Sequence, residues 1–159
     1  MNYDRDKLIE MLIVDEGMKL QVYQDSLDID TIGVGRNLEE RGLPVAELQH
    51  LGFTTMQEVY CIGITESGAR YLLMNDIDIV ERELSNAHPC IEDLTEGRQI
   101  VCLNMAFNLG VPRLCKFTNM WAEIHAKDYN MAAYEMINSR WARQVKGRSK
   151  ELADIMREG

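Results

Sequence analysis

The spacing of the apolar residues changes near the start of this chain, and that change limits the folds open to it. Residues 4–14 carry apolar side chains at the three- to four-residue spacing of a helix, which Gly17 would end. Over residues 18–22 the apolar side chains instead alternate with polar ones, which is typical of a half-buried strand. A turn and a return strand follow, so the sequence predicts a small antiparallel sheet within residues 18–36.

Helical spacing dominates the remainder of the chain. The stretch 37–64 is weakly patterned, with one short helix predicted after Pro44. Thr65 is the predicted N-cap of a long helix that ends before Pro89. Further helical stretches are predicted near 92–108, 113–126, 130–138 and 140–157. The sequence therefore predicts an α+β protein that is mostly α.

Composition narrows the possible functions. The 159 residues are 46% apolar and 27% charged, which is the balance of an ordinary folded domain. Seventeen basic residues against 26 acidic ones give a net charge of −9. This excess argues against nucleic acid as a partner, because neutralising phosphates requires a basic face. The charge is −12 over residues 1–100 and +3 over residues 101–159, so only the C-terminal part would attract an anionic partner.

Metals, cofactors and membranes are not indicated by the sequence. The four cysteines and three histidines are scattered and form no C-x-x-C pair, so we expect free thiols, no metal and no cofactor. The longest apolar run, residues 11–14, is too short for a membrane span or the core of a signal peptide. We therefore expect no stable insertion into a membrane.

Three polar side chains are expected to meet near the predicted sheet. Glu16 lies at a helix end, Asp25 at the mouth of the hairpin turn, and Thr31 at the start of the next strand. Glycoside hydrolysis requires two carboxylates in different environments, one to donate a proton and one to handle water or the developing cation. The spacing alone leaves a simpler interpretation open, in which Glu16 ends a helix and Asp25 caps a turn.

Around these three residues the chain resembles the phage-type lysozymes, the muramidases of T-even phages and their relatives. That family has Glu, eight residues, Asp, five residues, then Thr, and the present chain has Glu16, Asp25 and Thr31. The resemblance continues in order through Asn75-Asp76-Ile77-Asp78, Asn104-Met105-Ala106-Phe107-Asn108-Leu109-Gly110, Phe117-Thr118-Asn119, Ser139-Arg140-Trp141 and Arg148. It thus covers nearly the whole chain.

The resemblance implies a lysozyme-like two-lobe fold. The chain would form one domain with a small α+β lobe at 15–64 and a connecting helix at 65–85. The helical lobe would comprise 1–14 and 86–159, with the cleft between the lobes. Trp141 is assigned to the core, where a tryptophan on an amphipathic helix is most often found.

The same resemblance assigns roles to the three residues. Glu16 would be the general acid that protonates the glycosidic oxygen between N-acetylmuramic acid and N-acetylglucosamine. Because the family is regarded as inverting, Asp25 and Thr31 would orient an attacking water. The two carboxyl groups should then lie about 6.5–9.5 Å apart.

Further residues would bind the glycan or support the site. The candidates for substrate contact are Gly33, Gly35, Asn108, Phe117 and Asn119. For Phe117, packing in the core would suffice as an explanation. Arg148 would hold Glu16 in position, although a solvated basic helix face is an alternative. Arg36 stands where relatives often carry His, and we expect it to pair with Asp76.

The function implied is that of an endolysin. It would act as a monomer on the glycan strands of peptidoglycan, being made in the host cytoplasm and reaching the periplasm and cell wall after holin release. One alternative is a lytic transglycosylase, which cleaves the same bond but needs no Asp/Thr pair to orient water. The other is a non-catalytic glycan-binding module, such as a phage tail component.

Overall fold

The computed structural model describes residues 1–159 and consists of ten α-helices and one small sheet. The helices are α1 (Arg5–Glu16), α2 (Val45–His50), α3 (Met56–Ile62), α4 (Glu66–Ala87), α5 (Glu96–Leu109), α6 (Val111–Leu114), α7 (Thr118–His125), α8 (Tyr129–Ile137), α9 (Arg140–Val145) and α10 (Gly147–Glu158). The strands are β1 (Lys19–Gln24), β2 (Asp30–Gly33) and β3 (Arg36–Asn37). The predicted α+β class, mostly α, is confirmed.

The chain divides into two compact units. The first is Ile9–Asp78, which contains the whole sheet, and we refer to it as the sheet unit. The second combines Met1–Leu8 with Ile79–Gly159 and is helical, and we refer to it as the helical unit. No helix in the structure is both long enough and apolar enough to cross a bilayer.

The sheet is antiparallel with β2 in the centre. Between β1 and β2 the register moves from Lys19 opposite Gly33 to Tyr23 opposite Thr31, so β1 contains a bulge. The bulged residues hydrogen bond elsewhere, because the Leu20 carbonyl accepts from the Ile64 amide at 2.8 Å. The bulge therefore ties β1 to the segment that follows α3.

The core of the sheet unit lies beneath β2. Its apolar residues come from β2, the following loops, α2, α3 and the start of α4. The buried members are Ile32, Leu38, Leu43, Leu48, Val59, Ile64, Ala69 and Leu72. Removing this apolar surface from water is the main favourable contribution to folding of the unit.

Helix ends in the sheet unit largely follow the predicted signals. Gly17 ends α1 with φ = 76°, and Thr65 Oγ1 accepts from the Gly68 amide at 3.0 Å at the start of α4. Helix α3 was not predicted. Its signal is a capping box, in which Thr55 and Glu58 exchange hydrogen bonds between side chain and backbone. Pro44 is the N-cap of α2 rather than its first helical residue.

The helical unit is organised around α5, whose residues 99–106 are all buried. A helix that is buried on all sides needs apolar or fully hydrogen-bonded side chains all round. Trp141 is 2% exposed, which confirms its assignment to the core.

The four cysteines are free, as predicted, and burial raises the pKa of the Cys102 thiol to about 12. Helices α9 and α10 are separated at Lys146, where φ is +50°.

Candidate active site

Glu16 is the last residue of α1 and is half-buried. The positive φ of Gly17 turns the chain away from the helix, directly after this carboxylate. A Cβ built on Gly35 would lie 4.0 Å from Glu16 Oε2. The turn between β2 and β3 therefore passes close to the Glu16 carboxylate within the sheet unit.

Asp25 follows β1 and is held by the turn that it starts. Its Oδ1 atom accepts hydrogen bonds from the Leu27 amide at 2.7 Å and the Ile29 amide at 3.0 Å. Its own amide donates to the Ile29 carbonyl at 3.0 Å. The other carboxylate oxygen, Oδ2, bonds to no protein group and is free to accept. The turn thus fixes the orientation of one catalytic candidate.

Thr31 lies in β2 and is 4% exposed. Its hydroxyl donates to the Ile29 carbonyl at 3.0 Å, which uses the only proton on Oγ1. The backbone of Ile29 therefore contacts both residues. Its N–H donates to Asp25 Oδ1, and its carbonyl accepts from the Asp25 amide and the Thr31 hydroxyl. Toward a further molecule, the Thr31 hydroxyl is left as an acceptor.

Tyr23 is close enough to both carboxylates for their charges to affect it. It is opposite Thr31 in the β1–β2 register, and directly paired residues of antiparallel strands point to the same face. The pKa of Tyr23 is raised, first by burial, then by the charges of Asp25 and Glu16. Both carboxylates therefore act on one phenol group, and the structure brings Glu16, Asp25 and Thr31 together around Tyr23. Sequence analysis gave Tyr23 no role. Its position two residues before Asp25 could have indicated it, because residues two apart in a strand point to the same face.

The two glycines of the β2–β3 turn differ in their surroundings. Both have positive φ, +65° at Gly33 and +73° at Gly35, a conformation that other residues rarely adopt. Gly33 is buried, and a Cβ at that position would lie 3.7 Å from the Ala69 side chain. Gly35 is exposed and borders Glu16. Of the two, Gly35 is therefore the one positioned for contact with a ligand.

A buried ion network follows directly on Gly35. Arg36 Nε donates to Asp76 Oδ2 at 2.9 Å, which confirms the predicted pair. The sequence analysis missed Glu47, which accepts from both terminal nitrogens of Arg36 at 3.0 and 2.9 Å. Arg41 completes the network through Asp76 Oδ1 at 2.6 Å. Burial alone would lower the pKa of Arg36, but its bonds and charge contacts with Glu47 and Asp76 raise it.

The other candidates for glycan contact lie in the helical unit and take part in internal contacts. Asn108 Oδ1 accepts from the Trp141 indole N–H at 2.9 Å. Phe117 packs edge-to-face on the same indole, with ring centroids 6.5 Å apart. Asn119 donates from Nδ2 to Glu135 Oε2 at 3.3 Å. Asn108 and Asn119 are exposed, so these contacts leave part of each amide open to solvent.

A pocket of about 580 Å³ lies on the helical unit. Phe117, Asn119 and Trp141 are among its lining residues, whereas Asn108 is not. None of the three catalytic candidates lines it. This pocket therefore does not mark the catalytic candidates, and we place the candidate active site by its carboxylates.

Arg148 is anchored on α5. Its Nε atom donates to Asn104 Oδ1 at 2.9 Å, and Nη2 donates to the Asn104 carbonyl at 3.3 Å. These bonds fasten α10 to the buried helix of its own unit. The role predicted for Arg148 toward Glu16 stays a prediction.

No cluster of three metal-ligating side chains occurs in the structure.

Comparison with known proteins gives the family. The family model described as Phage lysozyme matches residues 14–157. The chain belongs to the phage lysozyme family. This membership covers all three candidate catalytic residues and makes the chain a lysozyme-like glycoside hydrolase.

This phage lysozyme family member has named relatives in a phage and in Dictyostelium discoideum. The chain is 30% identical to the pre-baseplate central spike protein Gp5 of Enterobacteria phage T4, over 96% of the chain but 28% of that protein. It is 28% identical to the probable T4-type lysozyme 1 of Dictyostelium discoideum, over 94% of the chain and 93% of that protein. The probable T4-type lysozyme 2 of the same organism is also 28% identical, over 94% of its length. The chain thus spans under a third of the spike protein and nearly all of each lysozyme.

Proposed function

We propose that this chain hydrolyses the β-1,4 bond between N-acetylmuramic acid and N-acetylglucosamine in bacterial peptidoglycan. Glu16 would protonate the leaving glycosidic oxygen, while Asp25 and Thr31 orient the attacking water. The observation that carries this proposal is that the backbone N–H and carbonyl of Ile29 hold the two acceptors, Asp25 and Thr31. Membership of the phage lysozyme family supports the substrate class.

The orientation of those acceptors suits a nucleophilic water. Asp25 Oδ2 and Thr31 Oγ1 can each accept one hydrogen of the same water, because Asp25 Oδ1 and the Thr31 proton are already used within the turn. With both hydrogens engaged, a lone pair of the water is left to attack the anomeric carbon. The carboxylate then acts as a base, which predicts an inverting reaction without a covalent intermediate.

The acid side of the reaction rests on Glu16. Its half-buried carboxyl lies beside the exposed Gly35 backbone, where a glycan can approach without a side chain in the way. No metal or cofactor is needed for this chemistry, because one carboxyl group donates a proton and the other takes one from water.

Host lysis is the setting that we propose for this activity, with peptidoglycan strands as the substrate. The protein would act as a monomer, synthesised in the host cytoplasm and given access to the cell wall by a holin. The likeness to a phage spike protein favours a second setting, in which the same activity forms part of a phage particle.

Clearing of a suspension of purified peptidoglycan tests the activity. We expect Glu16→Gln to clear the suspension about 100- to 10,000-fold more slowly than wild type, the range typical of a lost general acid. Glu10→Gln is the matched control, because Glu10 is an exposed acid on the same helix and pairs only with Arg70 in an exposed ion pair. Equal clearing by Glu16→Gln and wild type would exclude Glu16 as the general acid, and a wild type that binds peptidoglycan without clearing it would favour a glycan-binding module without catalysis.

Analysis of the products separates the two enzymatic alternatives. A hydrolase adds the mass of one water at each cleavage, whereas a lytic transglycosylase releases an anhydro sugar without it. Proton NMR of the first products should show the inverted anomer. A retained anomer would contradict the water-orienting role of Asp25 and Thr31. Thr31→Val removes the hydroxyl at nearly constant volume, and we expect it to slow hydrolysis without changing the products.

A further inference from the structure

Tyr23 presents a hydroxyl group that the proposed reaction does not use. The residue is half-buried, yet its hydroxyl hydrogen bonds to no protein group. Every other polar group named at the site is an acceptor or, in Glu16, an acid that gives up its proton. Tyr23 therefore contributes a neutral side-chain donor close to both Glu16 and Asp25.

The bulge in β1 fixes the position of the Tyr23 ring. Residues four apart in a regular strand are separated by about 13 Å, too far for most side chains to meet. Here the Lys19 ammonium lies 4.0 Å from the centroid of the Tyr23 ring. The ammonium covers one face of the ring, an arrangement that is attractive by the cation–π effect. The pairing of β1 with β2 and the contact with Lys19 therefore both constrain the Tyr23 ring, and with it the position of the hydroxyl.

The chemistry of the hydroxyl determines what it can bind. The phenol keeps its proton at working pH, because burial and the two neighbouring carboxylates raise its pKa. If the Tyr23 hydroxyl donated to the attacking water, it would occupy the lone pair that the water needs for attack. The water is therefore a poor partner for this hydroxyl. An uncharged oxygen of the sugar accepts such a bond without cost to the reaction.

We propose that Tyr23 is a substrate-binding residue whose hydroxyl donates a hydrogen bond to an uncharged oxygen of the glycan, either a sugar hydroxyl or an acetamido carbonyl. The bond forms next to the Asp25–Thr31 pair, because Tyr23 is opposite Thr31 in the sheet. This inference rests on the proposed function, since it assumes that a glycan occupies the site.

Tyr23→Phe tests the inference by removing one oxygen atom and keeping the ring. We expect kcat/KM on soluble peptidoglycan fragments to fall about 2- to 10-fold, the contribution of one neutral hydrogen bond. The melting temperature should not change, because the hydroxyl has no partner in the protein. Tyr60→Phe is the matched control: its hydroxyl donates to Asp30 Oδ2 at 2.7 Å, and Asp30, next to Thr31 on β2, points to the opposite face.

Binding provides a readout that does not depend on turnover. Co-sedimentation with insoluble peptidoglycan would compare Glu16→Gln with the double variant Glu16→Gln/Tyr23→Phe. We expect the double variant to bind about 2- to 10-fold more weakly. Equal binding and equal kcat/KM with and without the Tyr23 hydroxyl would overturn the inference and leave the proposed function standing. An equal loss in Tyr60→Phe would also overturn it, because the effect would then belong to the sheet as a whole.

Failure of the proposed function has a different signature. In that case the wild type does not digest peptidoglycan. If it also fails to sediment with peptidoglycan, the Tyr23 inference falls together with the proposal on which it rests. If it sediments without digestion, the comparison of binding with and without the Tyr23 hydroxyl still tests the inference.

Discussion

Arg36 is the charged residue of the sheet unit whose loss should be most damaging. Its side chain is 3% exposed, and those of Glu47 and Asp76 are 10% and 6% exposed. The guanidinium makes hydrogen bonds to both carboxylates and to the Gly42 carbonyl at 3.0 Å. Removal of the cation would therefore leave two carboxylates buried without their main partner.

Arg36→Met removes the charge and keeps a long apolar side chain in the space. Breaking a buried ion pair from one side costs about 3–5 kcal/mol, because the remaining charge stays desolvated. In a protein of this size each kcal/mol lowers the melting temperature by about 2–4 °C. We therefore expect Arg36→Met to melt about 6–20 °C below the wild type.

Arg41→Met is the matched control for this experiment. Arg41 bonds the same Asp76 carboxylate, at 2.6 Å, but its side chain is 31% exposed. Water can replace it, and Asp76 keeps Arg36, so the cost should be about 1 kcal/mol or less. Thermal unfolding followed by circular dichroism at pH 7 compares the two variants. Equal shifts in the two proteins would refute the idea that burial of Arg36 controls the cost.

The pH dependence of the network gives a second test. Because the pKa of Arg36 is raised above its ordinary value, its contribution is fully present below that ordinary value and is lost only as pH rises beyond it. A histidine there would have a pKa raised from about 6.5 by the same two carboxylates. Arg36→His should therefore keep its ion pair near pH 5 and lose it as pH rises toward 8. A stability deficit that is constant over this range would contradict the reasoning.

Two further experiments test the backbone at Gly63 and the helix cap at Glu58. A Cβ on Gly63, where φ is +79°, would lie 2.4 Å from a carbonyl oxygen of the bulged part of β1, so Gly63→Ala should cost about 2–4 kcal/mol in urea unfolding. Gly52→Ala, with φ = +84° but open space, should cost about 1–2 kcal/mol, and equal costs would refute the clash. Hydrogen bonds from the backbone amides of Thr54 and Thr55 lower the pKa of Glu58 below its ordinary 4.5, so its contribution is lost as pH falls through the lowered value. Glu58→Gln should flatten the fall in stability below pH 5, and parallel curves would contradict this.

Much of the fold could be predicted because the signals for it are local. The end of α1 at Gly17, the sheet within 18–36 and the Thr65 cap of α4 follow from residue spacing and cap chemistry. Helix α3 was missed because its residues show no clear apolar period. Its capping box at Thr55 and Glu58 was the available signal.

The site was less accessible to sequence reasoning. Spacing alone indicates that Glu16 and Asp25 approach each other, and their roles come from the family resemblance. The bidentate contact of Glu47 with Arg36 depends on how α2 packs, which no local pattern specifies. The position of Tyr23 over the site likewise depends on a strand bulge, and alternation in the sequence does not predict bulges.

Two separate sets of contacts hold the two sides of the candidate active site. On the side proposed to orient water, the backbone N–H and carbonyl of Ile29 bond to Asp25 and Thr31 within one turn. On the side proposed to supply the acid, Gly35 borders Glu16 and is followed by Arg36, whose partners come from α2 and α4. The first side is therefore held by local hydrogen bonds, whereas the turn beside Glu16 is held by buried charge. In the proposed reaction, preorganisation of this kind would let the acid and the water meet the substrate without rearrangement.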